Sequence, residues 1–187
     1  MQQLKNILEE HDISDHEIQD FLSRLEYVEF QKNEFVLKAK QVERYLYFIE
    51  KGLLRFFIEK DDREITFDFA FANNFTSGYS SFLKREPSLY TIQALTNTCL
   101  WRIEYNDLQL VYNGSEKSQM IGRLAAEQLF IRKTNRELSF LTLSAEERYL
   151  KLLNEQPDMI QQIPLKYLAS YIGITPQALS RIRKRIY

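Results

Sequence analysis

Gln177, Ser180, Arg181 and Lys184 are the residues whose types and spacing could do chemistry on a partner: together they carry the donors that bind phosphate oxygens and base edges. At about 100° per residue they share the side of a helix that faces away from Ala178, Leu179, Ile182 and Ile186. The chemistry would be recognition of a polyanion, with no bond made or broken. Thr175, a good N-cap, and Pro176, suited to a first helical position, open that helix, and Arg183 adds a further cation.

The segment that must position this stripe is 163–187, IPLKYLASYIGITPQALSRIRKRIY. Leu165, Leu168, Ala169 and Ile172 recur at helical spacing after Pro164, and Gly173 stands where a left-handed C-terminal cap is needed. Small Ala169 admits a second helix closely, while Leu168, Ile172, Ile174, Leu179 and Ile182 fill the angle between the two. The spacing predicts a helix-turn-helix, and the competing reading is an αα-hairpin whose basic end is merely solvated. Charge favours the first. From residue 159 onward there is no Asp or Glu but there are Lys166, Arg181, Arg183, Lys184 and Arg185, so the net charge of −1 hides a basic tip on an acidic body.

About 45 residues bury too little core to fold alone. A preceding helix, opened by a capping box of Ser144 and Glu147 and carrying Arg148, Tyr149, Leu152 and Leu153, is therefore expected to complete a three-helix bundle and to end before Pro157. Upstream, 115–140 reads as one long helix in which Ile121, Leu124, Gln128, Ile131, Asn135 and Leu138 alternate at three and four. This spacing suits the seam of a parallel homodimer, with polar Gln128 and Asn135 fixing register at a cost in stability; a simple amphipathic helix is the alternative. Met120, Ala125, Leu129 and Phe130 are expected to pack on the preceding β-rich region.

In that region, 27–104, the period changes to two, in the runs YVEF, EFVLK, YLYFIE, LLRFFIE, EITFDFAF, YTIQAL and CLWRIE. Short strands at this spacing make an antiparallel sandwich, roll or barrel. The strict alternation from Ile65 to Phe71 predicts one buried face, and Gly52 and the Asp61-Asp62 pair mark hairpin turns. Two helical pieces over 4–25, the second opened by Ser14 and Glu17, precede the strands, and a short helix over 105–113 follows them.

Composition narrows the function. His11 and His16 precede the strands, Cys99 is alone, and no Cys/His cluster has metal spacing. A structural metal, an iron-sulfur cluster, a cupin-like metal centre or a Ser/His/Asp set cannot be assembled from these residues, so catalysis is not expected. No run approaches the roughly 20 apolar residues of a membrane span, and MQQLKNILEEHD is too polar for a signal peptide, so a cytoplasmic location is expected.

A β-rich region, a long helix and a helix-turn-helix, in that order, resemble the CRP/FNR family of bacterial transcription regulators over essentially the whole chain. The most specific stretch is ITPQALSRIRK. The resemblance implies an α+β fold: an N-terminal antiparallel β-roll of the double-stranded β-helix or jelly-roll type with N-terminal helices over 1–114, a dimerisation helix over 115–141, and a helix-turn-helix domain over 142–187. It also implies a homodimer that binds double-stranded DNA, with RNA polymerase as a further partner and no membrane. Family members keep Ser or Gly followed by Arg on the recognition helix, matched here by Ser180 and Arg181, so Arg181 would read guanine. The hairpin that follows this helix in longer relatives is expected to be missing.

The family's roll binds a cyclic nucleotide through a Gly-Glu pair on the ribose and an Arg followed by Ser or Thr on the phosphate. Here the ribose Glu falls on Gly78, the phosphate Arg on Ser88, and Leu89 replaces the hydroxyl residue. A phosphate buried without its cation is strongly penalised, so cyclic AMP is not the expected effector unless Arg85 or Lys84 substitutes. The candidate pocket of Phe75, Ser77, Gly78, Tyr79, Ser88, Leu89 and Tyr90 is expected to be degenerate, filled by its own aromatics or suited to a neutral, apolar ligand. No cofactor is expected. The alternative function is a cyclic-nucleotide-binding module that acts through protein contacts.

Overall fold

Cα packing divides the chain into two units, Met1–Ile58 with Asp68–Ala125, and Glu59–Phe67 with Ala126–Tyr187. The computed structural model describes residues 1–10, 13–155 and 157–186, with the side chains of Ile121, Asp158 and Met159 excepted; His11 and Tyr187 therefore lie outside the described residues.

In the first unit, α1 (Gln2–Glu9) and α2 (Asp15–Ser23) precede the strands, and α2 opens on the expected capping box of Ser14 and Glu17. The strands are β1 (Glu26–Phe30), β2 (Phe35–Leu37), β3 (Tyr45–Lys51), β4 (Leu53–Lys60), β5 (Arg63–Phe71), β6 (Phe75–Thr76), β7 (Thr91–Ala94) and β8 (Thr98–Glu104). They form two four-stranded sheets in the orders β1-β8-β3-β6 and β2-β7-β4-β5, with antiparallel pairings, which is the expected jelly-roll type of roll. α3 (Tyr79–Lys84) interrupts the strands, and α4 (Tyr105–Gly114) leads into the long α5 (Glu116–Thr142). Leu4, Leu8, Ile18 and Phe21 of the N-terminal helices share one buried cluster with Phe48, Phe82, Ile103 and Leu108, so these helices complete the roll's core.

The strands depart from the sequence reading at three places. Gly52 was expected in a hairpin turn, but β3 and β4 lie in different sheets, so Gly52 carries the chain across the roll. Asp61 and Asp62 do make a tight turn, both at positive φ, between β4 and β5. Along β5 the buried residues are Thr66, Asp68, Phe69 and Ala70 while Ile65 is 40% exposed, so the alternation fails where both sides of the strand are covered. β6 was not foreseen; it is a two-residue pairing of Phe75 and Thr76 with Phe48 and Tyr47.

At Gly52, φ is +113°, and a Cβ there would lie 2.8 Å from the Thr98 Cα. Gly52→Ala is therefore expected to lower stability by about 1–3 kcal/mol, seen as an earlier denaturant midpoint with an unchanged slope.

The second unit holds α6 (Ala145–Glu155), α7 (Pro157–Gln162), α8 (Leu165–Ile172) and α9 (Pro176–Ile186). Ser144 and Glu147 make the expected capping box, with N–H donors to Glu147 Oε2 at 2.7 Å and to Ser144 Oγ at 3.3 Å. Tyr149, Ile160, Ile163, Leu168, Ala169, Ile172, Leu179 and Ile182 are buried. Pro157, expected only to stop α6, also begins the short α7, a position where its missing N–H costs nothing. Arg148 joins the parts: its guanidinium donates to the carbonyls of Leu143 (2.6 Å) and Ile172 (3.0 Å) and lies over the Phe140 ring. The segment 59–67 belongs to this unit through α8, where the Thr66 N–H donates to Ser170 Oγ (2.9 Å) and Ser170 Oγ donates to the Glu64 carbonyl (3.3 Å). Among the described residues, no helix is long and apolar enough to cross a membrane.

Candidate nucleic-acid interface

The turn between α8 and α9 is fixed by backbone chemistry. Gly173 takes the left-handed conformation, and the N–H groups of Gly173 and Ile174 both donate to the Ala169 carbonyl at 3.0 Å. Thr175 then caps α9, its hydroxyl oxygen accepting the Ala178 N–H at 3.2 Å. With Leu179 and Ile182 buried, the opposite side of α9 is left to solvent. Gln177, Arg181 and Lys184 are exposed there, and with Pro176 and half-buried Ser180 they line one shallow concavity.

Arg183 is not part of that stripe. It follows Leu179 by four, which turns it to the packing side, and its half-buried guanidinium lies 5.6 Å from the centre of the Tyr149 ring. Arg185 is also engaged, bound to Glu146 of α6 at 2.6 Å. The structure thus brings together Gln177, Ser180, Arg181 and Lys184, with Thr175 at the start of their helix, and sets Arg183 apart.

On α5 the seam residues Gln128, Ile131, Asn135 and Leu138 are exposed, Ile131 by 49% and Leu138 by 50%, and Leu124 is half-buried. The side chain of Ile121 lies outside the described residues. Phe130, expected to be packed, is 71% exposed, and Met120 and Ala125 are exposed too. Among the described residues these apolar groups are only partly covered.

In the roll, the candidate effector residues are largely satisfied by the protein itself. Phe75 packs edge-on against Phe48, Tyr79 stacks on Phe82, and the Tyr90 ring lies 6.1 Å from Phe56. The Ser77 hydroxyl donates to the Tyr45 carbonyl (2.8 Å) and that of Ser88 to the Tyr90 carbonyl (2.8 Å). Gly78 has no room for a side chain, since a Cβ there would lie 2.5 Å from Leu37 Cδ2. Leu89, counted in the candidate pocket from the sequence, is 88% exposed at the turn before β7. Arg85 points its guanidinium at the Glu43 carbonyl (3.5 Å) and the Tyr105 ring, not at Ser88.

Three charged residues that the sequence reading did not place inside are buried: Arg55, Glu43 and Asp68. Arg55 of β4 is fully buried with its guanidinium 4.2 Å from the Phe57 ring centre, a cation whose one signal was its position inside the apolar run LLRFFIE. Glu43 is 2% exposed and sits in local sequence that gives no hint of burial. Its Oε1 accepts from the N–H of Arg44 (2.9 Å), the N–H of Tyr45 (3.0 Å) and the hydroxyl of Tyr47 (3.1 Å), and its Oε2 from the N–H of Gly78 (3.3 Å).

Burial pushes the Glu43 carboxyl above its ordinary value despite these donors. Because the folded value is raised, the unfolded chain ionises first; the stabilising contribution is complete below about pH 4.5 and is lost as pH rises through the folded value. Wild-type stability is therefore expected to fall, relative to Glu43→Gln, as pH rises above about 4.5, as read from denaturant midpoints of the two proteins at successive pH values.

Residues 27–115 match the family model described as "Cyclic nucleotide-binding domain". No curated protein matches the chain by sequence. Among solved structures, the chain is similar to the c-di-GMP-responsive global regulator CLP of Xanthomonas campestris, at 20% identity over 92% of this chain and 91% of that one, with a TM-score of 0.72. FixK2 of Bradyrhizobium japonicum gives 15% identity over 87% and 84%, with a TM-score of 0.76. A putative transcriptional regulator of the CRP/FNR family from Eubacterium rectale gives 18% over 94% and 84%, with a TM-score of 0.72. The resemblance read from the sequence is thus borne out as a fold: the chain is built like a CRP/FNR regulator.

Proposed function

We propose, from the CRP/FNR fold shared with these regulators, that the chain is a transcription regulator without catalytic activity that binds a specific double-stranded DNA site as a homodimer. Residues 1–114 form its sensor roll, 115–141 its dimerisation helix and 142–187 its DNA-binding part. The observation that carries the proposal is the exposed stripe of Gln177, Ser180, Arg181 and Lys184 on α9, presented by a capped helix whose other side is buried. Arg181 is the base-reading residue, Lys184 a phosphate contact, and Gln177 and Ser180 supply further donors. The apolar seam of α5 supports self-association, and RNA polymerase is a further partner of a bound regulator.

The match of residues 27–115 to a cyclic nucleotide-binding domain favours a second reading, a regulatory module that touches protein instead of DNA. The acid-free, basic C-terminal segment speaks against it. Gel shift of the purified full chain against genomic fragments separates the two: discrete shifts that survive excess non-specific DNA are expected, and binding that disappears with competitor would sink the DNA reading.

A further inference from the structure

Arg136 and Phe140 stand four residues apart on the side of α5 turned from the seam of Ile131, Asn135 and Leu138. Neither belongs to the DNA-facing stripe, yet both meet the end of α8 within the second unit. The Arg136 guanidinium donates to the Tyr171 carbonyl at 3.2 Å and lies 4.7 Å from the centre of the Tyr171 ring. The Arg148 guanidinium, from α6, donates to the next carbonyl, that of Ile172, at 3.0 Å. Both guanidiniums also lie over the Phe140 ring, at 4.6 and 4.5 Å from its centre. Tyr171 and Ile172 end α8, where a helix has carbonyls without intrahelical donors and the negative end of its dipole, so cations are favoured there.

Phe140 reaches the turn itself. A Cβ at Gly173 would lie 2.9 Å from Phe140 Cε1, so the glycine that the left-handed turn requires also leaves room for the ring. Arg148 ties this point back to the end of α5 through its bond to the Leu143 carbonyl at 2.6 Å. A planar guanidinium can stack on a ring and donate in its own plane at the same time, which an ammonium cannot. The direction of α9 is fixed to α8 by the Gly173 and Ile174 N–H bonds to Ala169, and that of α8 is fixed to α5 by this cluster of two cations and a ring.

We propose that Arg136, Phe140 and Arg148 are positioning residues for DNA recognition, which hold α8 and α9 at one angle to α5 and thereby set the half-site spacing that the dimer accepts. The spacing rests on the reading of the chain as a DNA-binding dimer; the fixed angle belongs to one chain. In the DNA-free full-length protein, residual dipolar couplings of the 126–142 amides and of the α8 and α9 amides are expected to fit one alignment frame in wild type and in Phe140→Tyr, which keeps the ring. Phe140→Leu, at a position 37% exposed, keeps apolar bulk but offers the cations no face, and its two segments are expected to need separate frames. On operators whose half-sites are moved apart, wild type is expected to lose at least about tenfold in affinity per added base pair, because each shifts a half-site by about 3.4 Å and turns it by about 34°. Phe140→Leu should reduce that loss to less than about threefold while leaving the base preference inside each half-site intact, whereas a residue that only stabilised the fold would weaken every spacing alike. Arg136→Lys keeps the charge of a half-buried residue without its planar fork; the same two results are expected of it, and it carries the test should Phe140→Leu not fold. A single frame in the folded variant, or a spacing preference as steep as that of wild type, would overturn the proposal, as would equal weakening at every spacing. Wild type that binds no operator would sink the DNA reading alone, since the couplings need no DNA and still decide whether the cluster fixes the angle.

Discussion

Leu124→Lys combined with Ile131→Lys is expected to give a folded monomer that has lost specific operator binding, a drop of at least about a hundredfold in affinity. The seam residues Ile131 and Leu138 are about half-exposed in one chain, and Phe130 and Leu141 more so, which is a large apolar surface for a single helix to show water. Pairing two such helices buries it, and four lysines placed in the joint seam would oppose burial with unpaired charge. Losing the partner removes the second recognition helix, which a symmetric dimer would hold about 34 Å from the first to meet half-sites one helical turn apart. Ile131→Lys alone, at an exposed position, should weaken the dimer without disturbing the fold of the chain, so circular dichroism beside sedimentation distinguishes dissociation from misfolding. A wild-type protein that sediments as a monomer at micromolar concentration would refute the seam.

Arg181→Ala is expected to cost about 1–3 kcal/mol on the cognate site and to flatten the preference at one base pair, because a guanidinium matches the two acceptors of guanine and alanine replaces neither. Lys184→Ala, on the same exposed side, should weaken all sequences alike and reduce the slope of log affinity against log salt by about one. The contrast matters more than either value. Equal effects of both substitutions on cognate and random DNA would mean that α9 touches only backbone, and no effect of either would mean that it is not in the groove.

Helices α8 and α9 and the turn between them could be read from the sequence because their determinants are local: Gly173 for a left-handed turn, Thr175 and Pro176 for a helix start, and apolar residues at helical spacing. The same holds for the capping boxes at Ser14 and Ser144, which fixed helix starts to within a residue. What local pattern could not supply was decided by partners far along the chain. Gly52 looks like a turn glycine, and whether the next strand folds back or crosses to the other sheet depends on the pairings of β4 with β7 and of β3 with β8. Glu43 reads as a surface residue, yet Gly78 and Tyr47 give it donors that make burial tolerable. The two-residue β6 and the contact of Thr66 with Ser170 carry no periodic signal at all. Arg183 is a different case. Counting its charge placed it on the DNA side, whereas its phase relative to Leu179 places it on Tyr149.

The most direct test of a sequence-specific dimer is a hydroxyl-radical footprint of the full-length protein on DNA selected for binding from a random pool. Two protected stretches centred about one helical turn apart on a near-palindrome, with protection lost in Arg181→Ala, are the expected result. A single protected stretch, or uniform protection that follows no sequence, would contradict it.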